Sequence, residues 1–158
     1  MRPLTLFALL AALTAAGTAW ANGNDGRDFN AALRAALAGP GHGSGKVKFR
    51  QPEDEQQIVY LGVRVRRLLP DHSYYLQRAT DPVVDDDCTG TNWLTLGYGL
   101  DTATVDTDSR GKGRALFWRD LAAVPEGTQF DIHFRVTDAA DTNVIVLQSP
   151  CYQFTVRR

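Results

Sequence analysis

Phe130-Asp131-Ile132-His133-Phe134-Arg135-Val136 alternates apolar and polar residues without a break. That period of two is the spacing of a β-strand with one face on a core, because successive side chains leave a strand on opposite sides. Phe130, Ile132, Phe134 and Val136 are expected to point inward, and Asp131, His133 and Arg135 outward. The same period recurs along the chain. Val47 and Phe49 alternate with Lys46, Lys48 and Arg50; Val59, Leu61, Val63 and Val65 share a phase opposite Tyr60, Arg64 and Arg66. Tyr74 and Leu76 oppose Tyr75 and Gln77. Further strands are expected over 93–96, 114–119, 144–147 and 152–156, with a weaker one over 102–107. Turn residues separate them: Leu69-Pro70-Asp71-His72, Asp108 to Gly113, Pro125-Glu126-Gly127 and Asp141-Thr142-Asn143. No helical segment lies between the strands to make parallel crossovers. The pattern predicts an all-β fold, an antiparallel Greek-key or immunoglobulin-like β-sandwich of about eight strands.

The ends of the chain read differently. Met1-Arg2-Pro3, an apolar run from Leu4 to Ala16, and Ala19-Trp20-Ala21 have the layout of a signal peptide, with cleavage expected before Asn22. Residues 22–45 read as a leader. In it a short helix over about 27–37 is expected, capped by Asn24 or Asp25 and striped by Phe29, Leu33 and Leu37. Gly39-Pro40 stops it, and Gly41 to Gly45 read as a flexible linker. The sandwich domain is expected over 46–158. The protein is therefore expected to be secreted or periplasmic, with no membrane span once the signal is removed, since its apolar run is short and none follows.

Of 158 residues, 17 are Lys or Arg and 18 are Asp or Glu, a net charge of −1. Loss of Arg2 with the signal makes the balance more acidic. That argues against a global nucleic-acid footprint, and no nucleic-acid partner is expected. The two cysteines, Cys88 and Cys151, are expected to form a disulfide in an oxidising compartment. No Cys-x-x-Cys pattern suggests a thiol enzyme.

Few constellations carry chemistry. Asp81, Asp85, Asp86 and Asp87 form an acidic loop, the candidate calcium site, because calcium takes several oxygen ligands from a flexible loop. Asp106, Asp108 and Gly111 resemble the opening of a calcium loop, but Arg110 and Phe117 stand where ligands belong, so a turn is expected. His42, His72 and His133 lack metal-ligand spacing. Asp71-His72-Ser73 has the residue types of a hydrolase triad, yet a triad is a spatial arrangement that adjacency does not supply. Ser44 is not in a nucleophile elbow. The candidate binding surfaces are a basic and aromatic stripe of Tyr60, Arg64, Arg66 and Arg67, and a polar stripe of Asp131, His133 and Arg135. Trp93 and Trp118 would add a platform if exposed, or complete the core if not.

The run Val59-Tyr60-Leu61-Gly62-Val63-Arg64-Val65, then Leu69-Pro70, Tyr74-Tyr75-Leu76, and Thr107-Asp108 with Gly111 and Gly113, resembles small secreted bacterial β-sandwich proteins of unknown function. More remotely it is similar to the CHRD domain and the Greek-key sandwich of copper–zinc superoxide dismutase. The similarity spans roughly residues 45 to 157. The dismutase's metal histidines have no counterparts here, and Tyr74-Tyr75-Leu76-Gln77 stands where CHRD carries its histidine pair. The resemblance implies the fold and a non-enzymatic default. The expectation is a secreted or periplasmic, non-catalytic binding or interaction module for a protein or carbohydrate partner. The alternatives are a metal-dependent hydrolase using the acidic loop, or a structural envelope component.

Overall fold

The computed structural model describes residues 29–34, 43–52 and 57–157. The expected signal peptide, most of the leader and His42 lie outside them. Twelve strands follow in order: β1 (Phe29–Arg34), β2 (Ser44–Arg50), β3 (Ile58–Arg66), β4 (Ser73–Asp81), β5 (Leu94–Thr95), β6 (Gly97–Tyr98), β7 (Asp101–Thr102), β8 (Thr104–Asp106), β9 (Gly113–Asp120), β10 (Gln129–Asp138), β11 (Ile145–Gln148) and β12 (Tyr152–Thr155). Eight of them, β1 to β4 and β9 to β12, are four residues or longer. Every ladder is antiparallel except the single β6–β9 contact, Tyr98 with Trp118. No helix occurs among the described residues.

The strands form a two-layer β-sandwich. β2, β3 and β9 make one layer; β4 and β10, flanked by β5, β8, β11 and β12, make the other. The chain passes between the layers several times. β3 and β4 leave one layer for the other, and so do β9 and β10; β3 then pairs with β9 while β4 pairs with β10. β1 bridges the layers along one side, pairing β2 along its length and touching β11 at Arg34↔Gln148.

The core fills from the alternating residues of both layers. Val59, Leu61, Val63 and Val65 of β3 are almost fully buried, as are Ile132, Phe134 and Val136 of β10. Phe49 meets Phe154 edge-on, ring centroids 4.5 Å apart, and Phe134 at 6.1 Å. Each such aromatic or branched side chain contributes roughly 1.5–3 kcal/mol by leaving water. The turn before β9 is set by Gly111. Its φ is +66°, and a Cβ there would sit 2.1 Å from the Leu68 carbonyl oxygen, so only glycine fits.

Three expectations are corrected. Residues 29–34, expected in a helix, form strand β1, whose register with β2 runs from Phe29↔Phe49 to Arg34↔Ser44. A short helix gains little alone in water, whereas the open edge of β2 offers backbone hydrogen bonds to every second residue of the segment. The expected linker ends early, because β2 begins at Ser44. A Cβ on Gly45 would lie 2.9 Å from the Arg64 carbonyl oxygen, so this glycine serves close strand packing. Finally, Asp131 and His133 are buried rather than outward and solvated. Their side of β10 is covered by the segment between β4 and β5.

Candidate functional site

The covering segment includes the acidic loop. Asp81 and Asp131 are directly opposite on β4 and β10, and both are buried. Asp131 Oδ2 accepts the backbone N–H groups of Asp85 (3.0 Å) and Asp86 (2.8 Å). Its Oδ1 is buried without a hydrogen-bond partner. Asp81 accepts from the Thr89 hydroxyl (2.5 Å) and the Val83 N–H (3.0 Å), which hold its carboxyl below the usual carboxylate range. Asp85 accepts from the Asp87 N–H, and Asp85, Asp86 and Asp87 are exposed. Asp81, Asp85 and Asp131 thus cap the backbone of the loop. Among the described residues no three His, Cys, Asp or Glu side chains converge as metal ligands. Asp108, in the expected turn before β9, accepts the Lys112 and Arg110 amides, which lower its pKa.

Cys88 and Cys151 form the disulfide, with Cα atoms 5.4 Å apart across 63 positions of sequence. It ties the covering segment to the start of β12. Beyond it, Trp93 lies against the outer side of β10. The His133 ring is 4.5 Å away, and the Arg135 guanidinium carbon sits 4.1 Å from the Trp93 ring centroid. His133 Nε2–H donates to the Gly90 carbonyl, and Arg135 Nε donates to Gln77. Asp131, His133, Arg135 and Trp93 come together, but as the fastening of a loop rather than as an open surface.

At the opposite end of β10, His72 Nε2–H donates to Asp138 at 2.7 Å. Ser73 donates to Asp106 at 2.7 Å, not to His72. The residue types of a triad are present there without its geometry. Between the layers, Arg78 enters a cavity of about 40 Å³ lined by Phe49, Leu61 and Leu96, and burial lowers its pKa, followed by the nearby charge of Arg119. That volume holds about one water and no larger ligand.

The outer face of β2, β3 and β9 is open. Inward valines and phenylalanines force the alternate residues outward, and the register sorts those into three rows. Lys46, Arg64 and Arg114 stand directly opposite one another. Lys48, Gly62 and Leu116 form the next row, and Arg50, Tyr60 and Trp118 the third. Arg66 extends the basic side beyond the first row. All the bases in these rows are exposed; Leu116 is 63% exposed, Trp118 37%, and Tyr60 half-buried. Among the described residues His72 pairs with Asp138 and Arg110 with Asp108; Lys46, Arg64, Arg66 and Arg114 take part in neither pair. A groove of about 460 Å³ runs through the middle row, lined by Lys46, Lys48, Gly62, Arg64, Arg114 and Leu116.

Gly62 makes this groove. A Cβ there would meet nothing closer than Lys48 Cβ at 3.7 Å, and its φ is not positive. The backbone does not require glycine, and a glycine inside a strand weakens it and often marks close approach of a ligand or another backbone. Like charges directly opposite in a ladder also destabilise a sheet. Two local costs therefore meet on one face.

No family model and no curated protein matches the chain. Of the residues expected at a binding surface, Tyr60, Arg64, Arg66 and Trp118 share this face, while Asp131, His133, Arg135 and Trp93 belong to the loop fastening. Lys46, Gly62, Arg114 and Leu116 were not expected there. Their outward phase is visible in the sequence; their neighbours are set by the β2–β3 and β3–β9 registers.

Proposed function

We propose that the protein is a secreted or periplasmic, non-catalytic binding module that uses the outer face of β2, β3 and β9 to hold an anionic partner. The observation that carries this reading is the row Lys46–Arg64–Arg114, three bases side by side with no carboxylate paired to them among the described residues, in a chain of net charge −1. Such segregation of charge creates a local positive field that the net charge conceals. Disulfide chemistry supports the compartment, because such bonds persist outside the reducing cytoplasm. The two buried carboxylates at the acidic loop, Asp81 and Asp131, accept backbone amides, which supports a structural part for them.

Chromatography on a sulfopropyl cation exchanger at pH 8 tests the reading. A protein of this net charge is retained there only through a segregated basic face. Retention that Arg64→Gln with Arg114→Gln removes is the expected result; flow-through of the unaltered protein would defeat the proposal.

A further inference from the structure

The three rows on the open face differ in chemistry, and their order suggests a ligand class. This step rests on the proposed use of that face. Strands lie about 4.8 Å apart, so the row Lys46–Arg64–Arg114 spreads three positive charges over roughly 10 Å. One monovalent anion cannot neutralise three charges so spread, whereas a polymer with repeating anionic groups can. Rows on one face of a strand repeat about every 6.8 Å. The Gly62 groove therefore has the Lys46–Arg64–Arg114 row along one side and Leu116 beside Lys48 on its floor, with Arg50, Tyr60 and Trp118 in the row beyond it.

We infer that the groove binds a linear acidic polysaccharide, laid across the strands with carboxylates toward Lys46, Arg64 and Arg114 and sugar rings over Gly62 and Leu116. A pyranose ring carries polar groups around its rim and C–H groups on its faces, so it suits a shallow groove whose cations stand beside the apolar side chain of Leu116. Nucleobases need an open aromatic face on which to stack. Here Gly99 lies against the indole of Trp118, where even a Cβ would come within 2.8 Å, and Tyr60 is half-buried. The disulfide also belongs to an oxidising compartment, where envelope glycans rather than intracellular nucleic acids are at hand.

Titration of the purified, oxidised protein with polygalacturonate, neutral dextran, single-stranded DNA and duplex DNA at one ionic strength tests this. Polygalacturonate should bind and dextran should not. Arg64→Gln with Arg114→Gln should weaken polygalacturonate binding roughly 2- to 30-fold, as expected for two exposed ionic contacts. Gly62→Val should weaken it at least as much with the melting temperature unchanged or raised, since valine fills the groove and suits a strand. Tighter binding of either DNA than of polygalacturonate would overturn the ligand class and leave the basic face as the site. Unchanged affinity in Gly62→Val would remove the groove from the inference. Concentration-dependent self-association abolished by the arginine variant would make a second copy the partner and overturn it. Failure to bind any polyanion would end both this inference and the proposal beneath it.

Discussion

Arg64 stands directly opposite Arg114 in the β3–β9 ladder, with Lys46 on its other side in β2. Like charges at such positions destabilise a sheet by roughly 0.2–1 kcal/mol per pair. Arg114→Gln is therefore expected to leave stability unchanged or raise it by up to about 1 kcal/mol. The unaltered protein should melt higher as salt rises from low ionic strength to about 0.5 M, because counterions screen the repulsion, and the variant should respond less. Thermal melts across a salt series check both. A clear loss of stability in Arg114→Gln would mean that this arginine has a structural partner.

Asp131 offers a contrasting case, a buried carboxylate that accepts two backbone amides from the loop lying over it. Asp131→Ala leaves the Asp85 and Asp86 N–H groups without their acceptor and is expected to cost about 2–4 kcal/mol, from unmet hydrogen bonds and lost packing. Asp131→Asn keeps an acceptor oxygen and should cost distinctly less. Chemical denaturation gives the two values. Hydrogen exchange at Asp85 and Asp86 should accelerate in the alanine variant and not in a variant of exposed Asp87.

The strands were legible in the sequence wherever one face meets the core and the other meets water. β3 alternates from Val59 to Val65 in chemistry and in burial alike. The inward phase of β10 was equally legible, and Phe134 is fully buried. Its outward phase was misleading. Periodicity tells which side of a strand a residue takes, but not what crosses that side; a loop held by Cys88–Cys151 buries Asp131 and His133. Residues 29–34 misled for a related reason. A short apolar pattern fits a helix or a strand, and the open edge of β2 decided between them. At the candidate site Arg64 and Arg66 were visible as a stripe. Their alignment with Lys46 and Arg114 depends on pairing between segments far apart in sequence, which no local pattern encodes.

The Cys88–Cys151 bridge should act on stability more than on binding, because it fastens the segment over β10 and not the face of β2, β3 and β9. Closing a loop of that length stabilises by roughly 4 kcal/mol in the chain-entropy model. Cys88→Ser should lower the melting temperature markedly under oxidising conditions and differ little from reduced unaltered protein. Cation-exchange retention of the folded variant should persist. Free-thiol titration after denaturation without reductant checks the bridge directly, and two reactive thiols would contradict it.

Stability should fall at both ends of the pH scale for separate reasons. Asp138 is held below its ordinary pKa first by the Ala140 amide and then by His72; Asp81 by the Thr89 hydroxyl and the Val83 amide; Asp108 by the Lys112 and Arg110 amides. A carboxyl whose pKa is lower folded than unfolded stabilises fully above its unfolded value, about 3.9, and loses that contribution as pH falls through the folded value. The melting temperature should hold from neutrality to about pH 5 and decline below about pH 4. Tyr74 runs the other way. Burial raises its pKa, although the Leu69 N–H that it accepts opposes this. A raised acid favours the folded state below the unfolded value of about 10, and that contribution is lost as pH rises toward the folded value. Tyr74→Phe should be less stable at neutral pH, having lost the acceptor for Leu69, yet lose less further stability between about pH 9 and 11. Melting curves of both proteins over that interval decide it: parallel declines would place the alkaline loss on other groups.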